Sequence, residues 1–185
     1  LRLFTAIELT DSVRAAIAAE QEKAIAALRE ARHLRLVKPQ QMHLTLVFIG
    51  EVAEERGAAI TQLMAADIPV APFRLSFGGI GAFPPRGAPR VMYLDVVGGR
   101  DRAIDLHARV AERLARADVR LDARPFHPHL TLGRWRESRP SDRPRSPARA
   151  EVAAIDVTAV TLFQSRLSSL GPAYTPLALA RLRCP

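Results

Sequence analysis

Cysteine is all but missing: Cys184 is the single one in 185 residues, so neither a disulfide framework nor a Cys-rich zinc ribbon can be built from this chain. Long apolar runs are missing too. The longest stretch without Asp, Glu, Lys or Arg is Leu167 to Ala180, 14 residues broken by Gly171, Pro172 and Pro176, against the ~20 apolar residues of a membrane-spanning helix. Glu8 and Asp11 fall where a secretory leader needs an uninterrupted apolar region, and the expectation is a cytoplasmic protein. Lysine is scarce as well. Two Lys and 25 Arg stand against 19 Asp+Glu, a net charge of +8, which favours polyanionic partners without specifying any chemistry. Arg in place of Lys beside abundant Ala is also what GC-rich coding produces with no selection for a ligand.

With 48% hydrophobic and 25% charged residues, the chain has the composition of one domain large enough to fold without staples. RLFTAIEL (residues 2–9) reads as a strand, and Asp11 offers an N-cap to an Ala-rich helix running to about Arg32. Met42 to Ile49 reads as a strand ended by Gly50, and Glu54 to Ala66 as a helix. Phe73 to Phe83 and Arg90 to Val97 are expected strands joined by a loop rich in Pro and Gly. Asp101 to Ala117 is an amphipathic helix burying Ala103, Leu106, Val110 and Leu114. His129 to Trp135, Val152 to Leu162 and Ala173 to Leu182 complete the strands. The segment from Arg134 to Arg149 holds six Arg, three Pro and three Ser and reads as a mobile surface loop, either merely solvated or an electrostatic arm.

An internal repeat organises these elements. A strand, a helix and a strand carrying His43-Leu44-Thr45-Leu46 recur as a strand, a helix and a strand carrying His129-Leu130-Thr131-Leu132, the histidines 86 residues apart. The fold expected is α+β: one bilobal domain over residues 1–185, its lobes related by a pseudo-twofold, with mainly antiparallel sheets, outer helices and a cleft between the lobes. Side chains alternate along a strand, so His43 and Thr45 share one face, and His129 and Thr131 do the same. Two imidazoles and two hydroxyls facing one cleft suit in-line displacement at phosphorus. A neutral His takes a proton from the attacking water, a charged His gives one to the leaving oxygen, and the hydroxyls bond the non-bridging oxygens. That chemistry requires neither metal nor cofactor. A metal site of His43, His127 and His129 is the weaker alternative, since no carboxylate or Cys accompanies them.

The paired His-x-Thr-Leu motifs, their flanks MHLTLVFIGEV and RPFHPHLTLGR, the opening RLFTAIEL and the closing LFQSRLSSLGPAYTPL resemble the two-histidine phosphoesterase superfamily. Within it the chain is most similar to the RNA 2′,3′-cyclic phosphodiesterases, also called 2′-5′ RNA ligases. The resemblance implies hydrolysis of a terminal 2′,3′-cyclic phosphate to a 2′-phosphate, with His43 as general acid, His129 as general base, and Thr45 and Thr131 holding the phosphate. It implies no cofactor, no obligate protein partner, and an RNA or oligonucleotide substrate, tRNA halves among the candidates. It also implies that Phe48 and Arg134, each five residues after a motif His, flank the nucleoside. Strand parity opposes this last point and supports a core place for Phe48 equally well, unless each strand bulges within that interval. Many relatives carry Trp where this chain has Leu36 and Tyr93. Ligation through the same histidines, a different small cyclic phosphate, and a noncatalytic RNA-binding module are the other readings. Of the remaining polar residues, His33 and His107 read as surface or boundary positions, Glu8 as a solvated strand-end carboxylate, and Arg166 and Tyr174 as packing between the lobes.

Overall fold

Thr10, not Asp11, starts the first helix. Its backbone is extended and its side chain accepts from the Val13 N–H, which leaves Asp11 exposed in the first turn, where its charge complements the helix dipole. The computed structural model describes every residue except 121, 123, 145–149, 169, 170 and 185, and of residue 168 the backbone alone. In chain order the elements are β1 (Arg2–Ile7), α1 (Asp11–Ala26), β2 (Leu34–Leu36), β3 (Leu44–Glu51), α2 (Glu54–Met64), β4 (Ile68–Pro69), β5 (Phe73–Phe83), β6 (Val91–Gly98), α3 (Arg100–Ala115), β7 (His129–Trp135), β8 (Ala153–Val157), β9 (Ala159–Ser168) and β10 (Gly171–Arg183). Helix α1 ends six residues before the expected Arg32. Beyond it the Glu30 carboxylate accepts from the Arg32 backbone N–H, a local bond that competes with helical pairing.

Two five-stranded sheets form, ordered β3-β1-β9-β10-β4 and β2-β7-β6-β5-β8. Every pairing is antiparallel except β10 with β4. The repeat is visible in the topology: β1 pairs with β3 as β6 pairs with β7. Strands β3 and β7, the two that follow or carry the motif histidines, approach each other across the groove between the sheets. The α+β, two-lobed architecture is that expected. Helix α1 contacts β8 of the second sheet, α2 contacts β9 and β10 of the first, and α3 contacts β3 and β5. Leu44, Leu46, Leu130 and Leu132 are buried on the side away from the groove, in a core shared by both sheets.

The segment from Val152 to Leu162, read as one strand, is two. The chain breaks at Thr158 and passes from the second sheet to the first, and the Thr158 carbonyl accepts from Leu182 N–H at 2.8 Å. Apolar alternation runs through the crossing and carries no mark of it. The Arg-rich segment begins as the end of β7 and continues through a 3₁₀ turn at Pro140–Asp142. Asp142 is buried and accepts from Arg139 N–H, and the Arg143 guanidinium donates to the carbonyls of Ala82, Pro84 and Gly87. Up to Arg143 the segment is thus tied down rather than loose, and residues 145–149 lie outside the described residues.

Candidate active site

A short backbone device is built twice. His43 stands immediately ahead of β3 and its Nδ1 bonds the Gln41 carbonyl at 2.7 Å; His129 opens β7 and its Nδ1 bonds the His127 carbonyl at 2.7 Å. A carbonyl oxygen only accepts, so Nδ1 carries the proton in both rings, and Nε2 is the atom left to exchange one. Both rings, with Thr45, Thr131, Phe48 and Arg134, line one cleft of about 510 Å³ between the sheets. All six residues singled out from the sequence therefore meet there. Among the described residues that line it there is no carboxylate. Two other cavities, of about 730 Å³ at the start of α3 and about 530 Å³ between residues 29–33 and 137–142, contain neither motif.

The parity conflict is resolved by two β-bulges. Between β1 and β3, Thr5 faces Val47 and Ala6 faces Thr45, so Leu46 is the extra residue. Between β6 and β7, Met92 faces Gly133 and Tyr93 faces Thr131, so Leu132 is the extra residue. One inserted residue switches every later side chain to the opposite face. Phe48 and Arg134 accordingly turn to the cleft, and Phe48 is 53% exposed rather than in the core. Gly133 lets β2 come close beside the second bulge, since a Cβ there would lie 2.9 Å from Leu34 Cδ1.

Each bulge is held from behind by a helix side chain: Gln21 did not stand out in the sequence, and His107 was read only as a surface or boundary position. His107 Nδ1 of α3 donates to the Leu46 carbonyl at 2.9 Å, its ring stacked on Phe126 at 4.1 Å. Gln21 of α1 donates through Nε2 to the Leu132 carbonyl at 2.7 Å and the Val37 carbonyl at 3.0 Å. The available signal was a polar residue on the apolar stripe of Val13, Ile17 and Gln21. Gln21→Leu removes both hydrogen bonds and leaves the Leu132 carbonyl only the Val37 N–H at 2.9 Å, so unfolding midpoints in denaturant should report a loss of about 1–3 kcal/mol. An unchanged midpoint would show that the bulge needs no such support.

Aromatic rings wall each imidazole. Phe4 stacks on His43 with centroids 4.9 Å apart, and Tyr174 meets it edge-on at 5.2 Å; Phe83 and Tyr93 meet His129 at 5.0 and 5.4 Å. Tyr174 is thus a cleft residue next to a histidine rather than mere packing between lobes. Burial lowers the pKa of both histidines, partly opposed by their carbonyl hydrogen bonds. For His129 the neighbouring charges of His127 and Arg134 lower it further.

The metal alternative fails on placement: among the described residues no three of His, Cys, Asp and Glu are grouped to hold an ion. His127 turns instead to Asp95, its Nε2 3.3 Å from Oδ1. Glu8 accepts from the Thr161 hydroxyl at 2.7 Å. His33 is exposed.

A family model described as the 2′-5′ RNA ligase superfamily matches residues 15–167. A Thermus thermophilus protein named RNA 2′,3′-cyclic phosphodiesterase is 36% identical over 99% of this chain and 91% of its own length. An Archaeoglobus fulgidus protein of the same name is 34% identical over 96% of this chain and 98% of its own. A T. thermophilus crystal structure superposes with a TM-score of 0.76 at 34% identity, covering 100% of this chain and 99% of that one. Escherichia coli LigT complexed with 3′-AMP also gives 0.76, at 29% identity, covering 98% and 97%. No helix of this chain, among the described residues, is long and apolar enough to cross a membrane.

Proposed function

The chain belongs to the 2′-5′ RNA ligase superfamily, and from that premise we propose that it is an RNA 2′,3′-cyclic phosphodiesterase working by acid–base catalysis between His43 and His129. The observation that carries the reading is the pair of imidazoles, each with Nδ1 pinned and, among the described residues, no hydrogen-bond partner at Nε2, beside two threonines in one cleft whose described lining residues include no carboxylate. His129 Nε2 accepts a proton from water as its oxygen bonds to phosphorus. His43 Nε2 gives a proton to the 3′ oxygen as the phosphorus–O3′ bond breaks, leaving a 2′-phosphate. Thr45 and Thr131 donate to the non-bridging oxygens, and Phe48 and Arg134 flank the nucleoside. Escherichia coli LigT has been crystallised with 3′-AMP, a nucleoside that carries its phosphate on the 3′ oxygen. RNA ends of this kind, those of tRNA fragments included, form the proposed substrate class, and the cytoplasm is the proposed compartment.

The pH dependence tests the assignment. Burial disfavours the imidazolium, so in the free enzyme both histidines lose their protons below the ordinary histidine range. The acid must be charged, and the alkaline limb of kcat/KM, which reports the free enzyme, is displaced to the acid side. A bound phosphate anion favours the imidazolium and moves that limb back in kcat. Both profiles should be bells, with the optimum of kcat/KM at lower pH than that of kcat. Coincident optima, or the reverse order, would contradict burial and the substrate anion as the opposing influences.

A further inference from the structure

The cleft holds more positive charge than one cyclic phosphate needs. A cyclic phosphodiester carries a single negative charge, already provided for by an imidazolium and two threonine hydroxyls. Arg134 and Arg2 add two guanidiniums from opposite sheets, and among the described residues neither has an ion-pair or hydrogen-bond partner for its side chain. The Arg2 guanidinium lies 5.2 Å from the centroid of the Phe48 ring, a placement that leaves its edge free to donate.

The sheet register shows what else stands beside it. Arg2 on β1 faces Ser165 on β9, and Ser165 faces Tyr174 on β10. All three line the cleft. Phe4, two residues further along β1 and so ~7 Å away, stacks on His43. Arg2 and Ser165 therefore lie one step outward from the reacting histidines, a distance of the order of one nucleotide, and the Tyr174 ring, edge-on to His43 at 5.2 Å, reaches from that row to the reacting imidazole. Burial raises the Tyr174 pKa while the charges of Arg134 and Arg2 pull it back. The phenol is thus a neutral donor in the field of both guanidiniums.

We infer that Arg2, Ser165 and Tyr174 form a second phosphate subsite, for the phosphate on the 5′ oxygen of the nucleoside that carries the cyclic end. This deepens the phosphodiesterase reading and rests on it. The subsite makes the enzyme select nucleotides with a 5′ phosphoryl group, supplied either by an internucleotide linkage or by a terminal 5′-phosphate. It converts part of the Arg charge from general attraction into recognition of a chain end by its second phosphate.

The test compares kcat/KM for three substrates: a nucleoside 2′,3′-cyclic phosphate, its 5′-phosphorylated form, and a dinucleotide with a 2′,3′-cyclic end. The 5′ phosphoryl group should raise kcat/KM by about ten- to a hundredfold. A gain for both phosphorylated substrates identifies the phosphate itself, and a gain for the dinucleotide alone identifies the linkage as its source. Arg2→Gln should bring the ratio close to one, mainly through KM. Arg2→Lys should retain part of it, and Arg181→Gln, which removes an equal charge away from the cleft, should leave the ratio as it was. Tyr174→Phe removes one hydroxyl and should lower the ratio on its own, which keeps the test open if Arg2→Gln does not fold. Equal kcat/KM for all three substrates in the wild type, or a uniform loss across them in Arg2→Gln, overturns the subsite while leaving hydrolysis intact. No turnover of any of the three by the wild type overturns the phosphodiesterase reading as well.

Discussion

His43→Ala should lower kcat on a 2′,3′-cyclic phosphate by about 10²–10⁴-fold, the range that one positioned acid or base contributes, and His129→Ala should cost a similar factor. The two losses have different chemical causes, and substrate chemistry separates them. A sulfur in place of the 3′ bridging oxygen leaves without a proton, so it should restore most of the rate to His43→Ala and little to His129→Ala. Equal rescue of both, or of neither, would reverse or remove the proposed roles. The double variant should be only slightly slower than either single one, because the histidines act as a unit. Both rings line the cleft, and among the described residues the hydrogen bond each makes is to a carbonyl two residues earlier in the chain. Thermal melts of the variants should therefore stay cooperative, which separates lost chemistry from lost fold.

Thr45→Val and Thr131→Val should each lower kcat by about 10²-fold, in the range seen when one fixed donor to developing charge is removed. Valine keeps the branched shape and the strand preference of threonine, so the substitution deletes a hydroxyl and little else. Both threonines lie on the cleft faces of their strands, before the bulges at Leu46 and Leu132. Their positions are thus set by the same backbone that fixes the histidines. The split between constants is the informative part. A fall in kcat with KM nearly constant means that the hydroxyls act on the transition state; a rise in KM alone would make them ground-state anchors and contradict the proposed role.

The His-x-Thr repeat was legible because its information is local: alternation puts the imidazole and the hydroxyl of each motif on one face, and the topology pairs β1 with β3 as it pairs β6 with β7. Phe48 and Arg134 were not settled that way. Their direction depends on a single inserted residue in each strand, and the carbonyls exposed there are satisfied from far off: Gln21 reaches Leu132 across 111 residues and His107 reaches Leu46 across 61. A period-two reading cannot see such a partner, although it can flag the conflict that the partner resolves. Phe4 shows a related limit. Its sequence context is that of any core strand, and its stacking on His43 arises because β1 lies next to the motif strand. The early end of α1 and the change of sheet at Thr158 were hidden for a similar reason, since a side-chain bond at Glu30 and a sheet crossing leave the apolar pattern unchanged. The net charge of +8 was legible from the outset and gains meaning only from Arg134 and Arg2, which line a cleft whose described lining residues include no carboxylate.

The most direct measurement is the structure of the product. An oligonucleotide ending in a 2′,3′-cyclic phosphate should be incubated with the enzyme in ¹⁸O-labelled water and followed by ³¹P NMR and mass spectrometry. Attack by water with the 3′ oxygen leaving predicts one product, a 2′-phosphate carrying a single ¹⁸O and a free 3′ hydroxyl, formed by the wild type and lost in His43→Ala and His129→Ala. A 3′-phosphate, a mixture of the two isomers, or the same product at undiminished rate from either variant would contradict the account.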